Sequence, residues 1–228
     1  MSIASNVEKI KMRIAESAAK AARAPEEVAI VAATKNRRID EIREAMEAGV
    51  SIIGENRVQE ARKKIAFLGG KRTDWHFIGH LQTNKVKDAV ELFQLIQSVD
   101  SQRLIEAIHE RALKLDKKMD ILIEINLTTE SKKYGLAPSE ALDFVKRNSN
   151  LKGVSIKGLM MIAPWVEPKK TRPYFKELRG IFKSIKDEKV EGVEMRHLSM
   201  GMSNDFDVAI EQGSNMVRLG RAIFESEK

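Results

Sequence analysis

Eight short apolar runs alternate with segments of helical period along this chain, and nothing else in it narrows the fold as far. The runs lie at 28–33, 50–54, 75–79, 93–99, 121–125, 154–162, 194–199 and 216–219. Between them apolar residues recur every three or four positions, as in Ile39, Ile42, Ala45 and Met46, or Phe175, Leu178, Ile181, Phe182 and Ile185. Strands that alternate with helices pair in parallel through right-handed crossovers. Eight such units predict a closed (β/α)8 barrel, and 228 residues suit that fold. An open doubly wound sheet would show the same alternation, but no dinucleotide-type glycine loop follows the first strand.

One further helix precedes the barrel. Val7, Ile10, Ile14, Ala18 and Ala21 share a face, Ser5 and Glu8 have capping-box spacing, and Pro25 is expected to close the helix. Gly49 is placed to cap the second helix, Gly69 and Gly70 to make a turn, and Pro138 to open a helix. No Pro/Ser-rich linker, low-complexity tract or clear repeat divides the chain. The expectation is a single domain over residues 1–228.

Composition removes several function classes. Without cysteine there is no disulfide framework, thiolate metal site or thiol nucleophile, which fits a reducing cytoplasm. The first 22 residues lack the apolar core of a signal peptide, and no apolar run approaches bilayer-spanning length. The expectation is a cytoplasmic protein without membrane contact. A formal net charge of +7 raises nucleic acid as a partner. Lysines and arginines are interspersed with acids, however, and aromatics make up 5%. The charge reads as a solvated surface, with no nucleic-acid site.

In a barrel of this kind, functional residues sit on the loops after the strands, and phosphate is often held after strands seven and eight. The first strand ends in Thr34 and Lys35. A lysine at the rim of an apolar core is partly desolvated and can serve as a nucleophile, although it is equally the first solvated residue after a strand. Strand two leads into Glu55, Asn56 and Arg57, strand three into His80, Gln82, Thr83 and Asn84, and strand four into Asp100. Strand seven leads into Ser203, which either caps the next helix or holds an anion with neighbouring amides. Strand eight ends at Gly220, where a helix begins and a ligand can approach its amides.

Arg218 places a permanent cation inside a short apolar strand, where an unpaired charge is costly. It serves either a salt bridge, with Glu124 or Asp205 as partner, or a ligand at the barrel mouth. An amine nucleophile facing a phosphate cup suits an aldehyde that carries a phosphate. Pyridoxal phosphate is such a ligand, and a lysine Schiff base is how proteins hold it. The histidines add no metal site, since His76, His80, His109 and His197 lack companion ligands at sensible spacing.

These residues fall in segments that resemble the pyridoxal phosphate homeostasis proteins, a family built on an alanine racemase N-terminal-type barrel. The matching segments are Val31-Ala32-Ala33-Thr34-Lys35, Gly54-Glu55-Asn56, the run from His76 to Lys85, the run from Gly158 to Pro164, the run from Leu198 to Asp205, and Met216-Val217-Arg218-Leu219-Gly220. The resemblance implies that Lys35 forms the Schiff base and Arg218 faces the pyridine nitrogen. Ser203 and the amides around Gly220 and Arg221 would hold the phosphate, with Asn56 near the ring.

The resemblance further implies a monomeric protein of vitamin B6 homeostasis, with pyridoxal-phosphate-dependent apoenzymes as recipients. Racemases of this fold add a β-rich domain and a second base from a partner subunit, neither of which is expected here, so no catalytic residue is assigned. The alternative is a weak single-domain racemase with His80 or Tyr134 as second base. Relatives carry a hydroxyl residue where Arg221 stands. The loop around Lys132 and Lys133 departs from the usual Ser-Lys-Ser-Gly, with Lys133 taken as a second, transfer-related lysine.

Overall fold

A computed structural model describes residues 2–68, 73–128 and 134–225. Eight parallel strands close into a barrel in chain order, β1 pairing with β8. They are β1 (Ala29–Ala33), β2 (Ile52–Glu55), β3 (Asp74–Phe77), β4 (Leu95–Val99), β5 (Met119–Glu124), β6 (Val154–Met160), β7 (His197–Met202) and β8 (Met216–Leu219). Helix α1 (Ile3–Lys20) precedes the barrel. The outer layer comprises α2 (Ile39–Glu47), α3 (Val58–Leu68), α4 (Val86–Leu92), α5 (Gln102–Lys114), α6 (Ala141–Asn148), α7 (Arg172–Asp187), α8 (Phe206–Glu211) and α9 (Arg221–Phe224).

Two apolar cores follow from strand alternation. Val31, Ile78, Leu95, Leu122, Met160 and Met216 fill the barrel itself. A larger core lies between strands and helices, where the neighbouring strand residues such as Ala32, Ile53, Ile121 and Leu159 meet Ile42, Ala61, Ile105 and Leu178. Each strand is therefore buried on both faces, which is why it reads as a continuous apolar run. Gly49, at φ +97, follows α2 as expected. Gly69 and Gly70 lie outside the described residues.

The first helix begins differently from its sequence pattern. Ile3 is already buried in the core, which draws the helix start upstream of Ser5. Ser2 is the N-cap and its hydroxyl accepts from Ser5 N at 3.2 Å, so no capping box forms at Ser5. Glu44 of α2 also accepts from the Ile3 amide, at 2.9 Å. The helix ends at Lys20, and Pro25 opens a 3-10 turn (Pro25–Glu27) instead of closing α1. Asn6 on the buried face of α1 donates to Ile223 O and Glu225 O at 3.0 and 3.2 Å, tying the first helix to the last.

Strand β7 starts at His197, three residues later than the apolar pattern suggests, and runs on to Met202. Its end is irregular. Gly201 has φ +94, and an added Cβ would lie 2.6 Å from Ala209 Cβ. The pairing with β8 shifts register between Ser199 and Met202. This bend brings the following loop, with Ser203, over β8.

A second shift lies in β6, where Leu122 pairs with Gly158 and Ile121 with Ile156. Gly158 has φ +147, and an added Cβ would fall 1.9 Å from the His197 carbonyl oxygen. Neither the backbone conformation nor the space admits a side chain. Gly158→Ala is expected to lower the unfolding free energy by on the order of 3 kcal/mol or to prevent folding, as measured by urea denaturation against wild type.

Candidate functional site

Lys35 sits in a tight turn at the C-terminal end of β1. Arg37 N donates to Thr34 O at 3.0 Å, and Asn36 takes φ +59, a conformation that asparagine tolerates better than most residues. The turn projects Lys35 at the barrel mouth. Its side chain is exposed, so the partial shielding expected from the apolar strand is not supplied by the chain itself.

The turn is held from below by a buried polar group. Thr34, Glu55 and Lys64 are all inside the protein. The Thr34 hydroxyl donates to Glu55 Oε1 at 2.7 Å, Lys64 Nζ donates to Thr34 O at 2.6 Å, and Lys64 forms an ion pair with Glu55. Glu55 Oε2 accepts from the Asn56 amide at 3.2 Å. One carboxylate therefore fixes the starts of both the Lys35 turn and the Asn56 loop. Asn56 is packed closely as well, since a Cβ on Gly79 would lie 2.6 Å from its carbonyl oxygen.

Arg218 is held inside the barrel. Its Nη1 donates to Ser199 Oγ at 2.6 Å and its Nη2 to Met161 O at 2.7 Å. The neighbouring bonds carry the chain across the interior: Ser199 Oγ donates to Gln97 Oε1 at 2.6 Å, and Gln97 Nε2 donates to His76 Nδ1 at 3.0 Å. Burial pulls the His76 pKa down to about 3, so the imidazole is neutral and able to accept. Burial pulls Arg218 down to about 10, opposed by Glu124 and Asp205, which leaves it a cation at neutral pH. Neither acid forms an ion pair with it among the described residues, so the salt-bridge alternative for Arg218 gives way to a neutral hydroxyl and a carbonyl.

Ser203 does not cap the helix that follows it. The N-cap position of α8 belongs to Asp205, whose carboxylate accepts from Met202 N at 2.7 Å. The Ser203 hydroxyl instead accepts from Gly220 N at 3.3 Å and Ala222 N at 3.1 Å, at the start of α9. Loops seven and eight are thus joined through one oxygen. The Arg221 guanidinium lies 4.7 Å over the Trp165 ring, and Trp165 is 69% exposed.

These features converge on one cavity of about 710 Å³. Lys35, Asn56, Ser203, Arg218, Gly220 and Arg221 all line it, so the six residues singled out in the sequence share a wall. Ile78, Ile162, Trp165 and Met202 add apolar surface. A larger groove of about 990 Å³ lies behind the cup, between α1 and α9, and carries fewer groups suited to the same chemistry. Sequence reasoning passed over the loop after strand six, whose Trp165 was its one signal. It also gave no role to Gln97 or Ser199, polar residues at apolar strands.

The opposite side of the mouth is acidic. Glu124 ends β5 and Asp100 follows β4. His80 Nδ1 is 3.6 Å from Asp100 Oδ2, and its ring stacks on Tyr134 with centroids 3.5 Å apart. Burial and the neighbouring Asp100 raise the Glu124 pKa to about 7, with Arg218 opposing. His109 accepts from Gly153 N at 3.0 Å and is thus a bonded residue, and His197 is lowered by burial. Among the described residues no group of three or more His, Cys, Asp or Glu could hold a metal. Lys133 lies outside the described residues.

Residues 3–227 match the family model for the alanine racemase N-terminal domain. A pyridoxal phosphate homeostasis protein from Aquifex aeolicus is 38% identical over the full length of both chains. The chain belongs to this family. Among solved structures, an unknown protein from Bifidobacterium adolescentis is 36% identical with a TM-score of 0.89, covering 97% of this chain and 94% of that one. PipY of Synechococcus elongatus, solved with PLP bound, is 34% identical with a TM-score of 0.82, covering 92% of this chain and 99% of its own. The family fold is the (β/α)8 barrel described above, and no helix among the described residues is long and apolar enough to cross a membrane.

Two substitutions test the buried polar groups. Lys64→Met leaves Glu55 without its cation and is expected to cost about 3–5 kcal/mol of stability, read from chemical denaturation. The second concerns protons. At His76 the unfolded chain binds the extra proton between pH about 3 and 6.5, so acidification destabilises. At Glu124 the folded chain binds it between pH 4.5 and about 7, so acidification stabilises. The slopes oppose each other from pH 4.5 to 6.5. Glu124→Gln removes one of them, and its stability is expected to fall with acidification more steeply than wild type, by about 1.4 kcal/mol per pH unit.

Proposed function

We propose that this chain holds pyridoxal phosphate as a Schiff base on Lys35 and acts in vitamin B6 homeostasis, as a cytoplasmic, monomeric carrier that works as one domain over residues 1–228. The observation that carries the reading is the convergence of Lys35, Asn56, Ser203, Arg218, Gly220 and Arg221 on one cavity. The donor set fits the cofactor: an amine for its aldehyde, and cations, a hydroxyl and backbone amides for its phosphate. The names of the relatives and the PLP bound in PipY support the same reading.

When bound, the cofactor supplies an aldehyde that condenses with amines and a ring that draws electrons from them. The residues of this chain hold it more than they exploit it. Lys35 offers its amine from a turn fixed by Thr34 and Glu55. Ser203 and the amides at Gly220 and Arg221 hold the phosphate, and the Arg221 side chain adds a charge where relatives place a hydroxyl. Ile78 and Trp165 present apolar surface to the ring.

Arg218 keeps its proton at neutral pH, so a ring nitrogen beside it stays unprotonated. A pyridine without that proton is a weaker electron sink, which argues for storage and delivery to apoenzymes over racemisation. A slow racemase would need a second base, and His80, stacked on Tyr134, is the group that would supply it.

Reconstituted protein is expected to show a visible absorbance band and, after borohydride reduction, a covalent adduct on Lys35 by mass spectrometry. Lys35→Ala should lose both, and absence of band and adduct in wild type would sink the reading. Ser203→Ala is expected to weaken cofactor binding about tenfold, or about 1.4 kcal/mol, by equilibrium dialysis. Exchange of the α-proton of amino acids into deuterated solvent measures any racemase activity, and none above free cofactor is expected.

A further inference from the structure

Residues 169–189, which include α7, carry eight lysines and arginines against three acids, a local charge of +5 in a chain of +7. On α7 the cations Lys176, Arg179, Lys183 and Lys186 follow at alternating spacings of three and four, which makes one stripe along the helix. None of the four forms an ion pair among the described residues. Cations elsewhere on the surface commonly do, as Arg13 with Asp207, Arg62 with Asp88, Lys146 with Glu188 and Lys157 with Glu194. The last two pairs also take up Glu188 and Glu194, which follow the stripe in sequence.

The stripe ends at a groove of about 660 Å³. Met195 and Arg196 before β7, Gly213 and Asn215 before β8, and the end of α7 all line it, so it lies at the end of the barrel opposite the Lys35 mouth. Its floor is apolar: Ile185, Met195 and Leu198 are buried, and Phe182, Val190 and Val193 are half-buried. Lys186, Lys189 and Arg196 stand at its rim, without an ion pair among the described residues. Arg179 lies against Gly213 beside them, where an added Cβ would come 3.1 Å from its Nε.

Charge and shape together select the occupant. The apolar surface is recessed, and among the described residues no large exposed apolar side chain lies on α7 or in the groove. Such a surface receives a side chain from a partner and has nothing to insert into a membrane. A nucleic acid would leave the floor unfilled, because its charge lies outermost and its bases stack only on exposed rings. An acidic amphipathic helix satisfies both parts, with carboxylates along the stripe and an apolar anchor in the groove.

We infer that α7 and the groove at its C-terminal end form a docking surface for an acidic amphipathic helix of a partner protein. A large apolar side chain of that helix seats on Phe182, Val190 and Val193. The surface goes beyond the cofactor reading and stands without it, and a partner docked there leaves the mouth open.

Fluorescence anisotropy on the full chain tests this. The probe is a labelled synthetic helical peptide with glutamates spaced as the cations are and leucines on the adjoining face. Control peptides replace the glutamates by glutamine or the leucines by serine, and a random-sequence DNA duplex and octanoate complete the set. Saturable binding of the glutamate–leucine peptide is expected, falling with salt and weakened about tenfold by Lys183→Glu with Lys186→Glu. Val193→Asp, which puts a carboxylate on the floor, is expected to weaken it as well. Circular dichroism checks each variant, and the charge variant, confined to exposed residues, decides if Val193→Asp does not fold. No saturable peptide binding, equal binding of either control peptide, or wild-type affinity in the charge variant overturns the surface. A DNA duplex bound as tightly as the peptide overturns it in favour of a general polyanion surface, and octanoate bound without the peptide in favour of a small amphipathic anion.

Discussion

A guanidinium inside a closed barrel has to be satisfied by the barrel. Arg218 meets that constraint through one hydroxyl and one carbonyl, and the cost is met by making part of the interior polar. Ser199 must then find an acceptor, which is Gln97, and Gln97 needs one too, which is His76. Each member hands its proton in the same direction, so the chain tolerates no reversal of any amide or imidazole without breaking a bond. The apolar layer of Val31, Leu95, Leu122 and Met216 packs around this wire. Strand register, cavity floor and charge at the mouth all depend on it.

Much of this was legible in the residues. Eight apolar runs read as eight strands because each is covered on both faces, and barrel closure then gathers Lys35, Ser203, Arg218 and Gly220 from distant parts of the sequence. The order of the loops was enough to bring them to one end. The far end of strand seven was missed because Gly201 permits a bend that no periodicity encodes. Of the two readings of Ser203, the cap of the helix next to it in sequence fails, because its hydroxyl reaches across to the start of the last one.

The buried polar residues were the least legible. Lys64 lies on a helix, where a lysine ordinarily marks the solvated face, and its burial follows from Glu55 and the Thr34 carbonyl beneath it. Gln97 and Ser199 interrupt apolar strands in the way a solvated edge would. Their meaning comes from partners more than a hundred residues away, as with the Ser199–Gln97 separation of 102. Pattern reasoning sees what a residue's neighbours in sequence require; these residues answer to neighbours across the barrel.

The tie between Asn6 and the carbonyls of Ile223 and Glu225 spans 217 and 219 residues, and β1 closes against β8 over nearly the same distance. Contacts of such separation are slow to form and cannot precede synthesis of the segments they join. The tie from the first helix therefore waits for synthesis of the last, and so does the Ser203–Gly220 cup, whose two members both lie late in the chain. A chain emerging from the ribosome has its lysine early and its cup last.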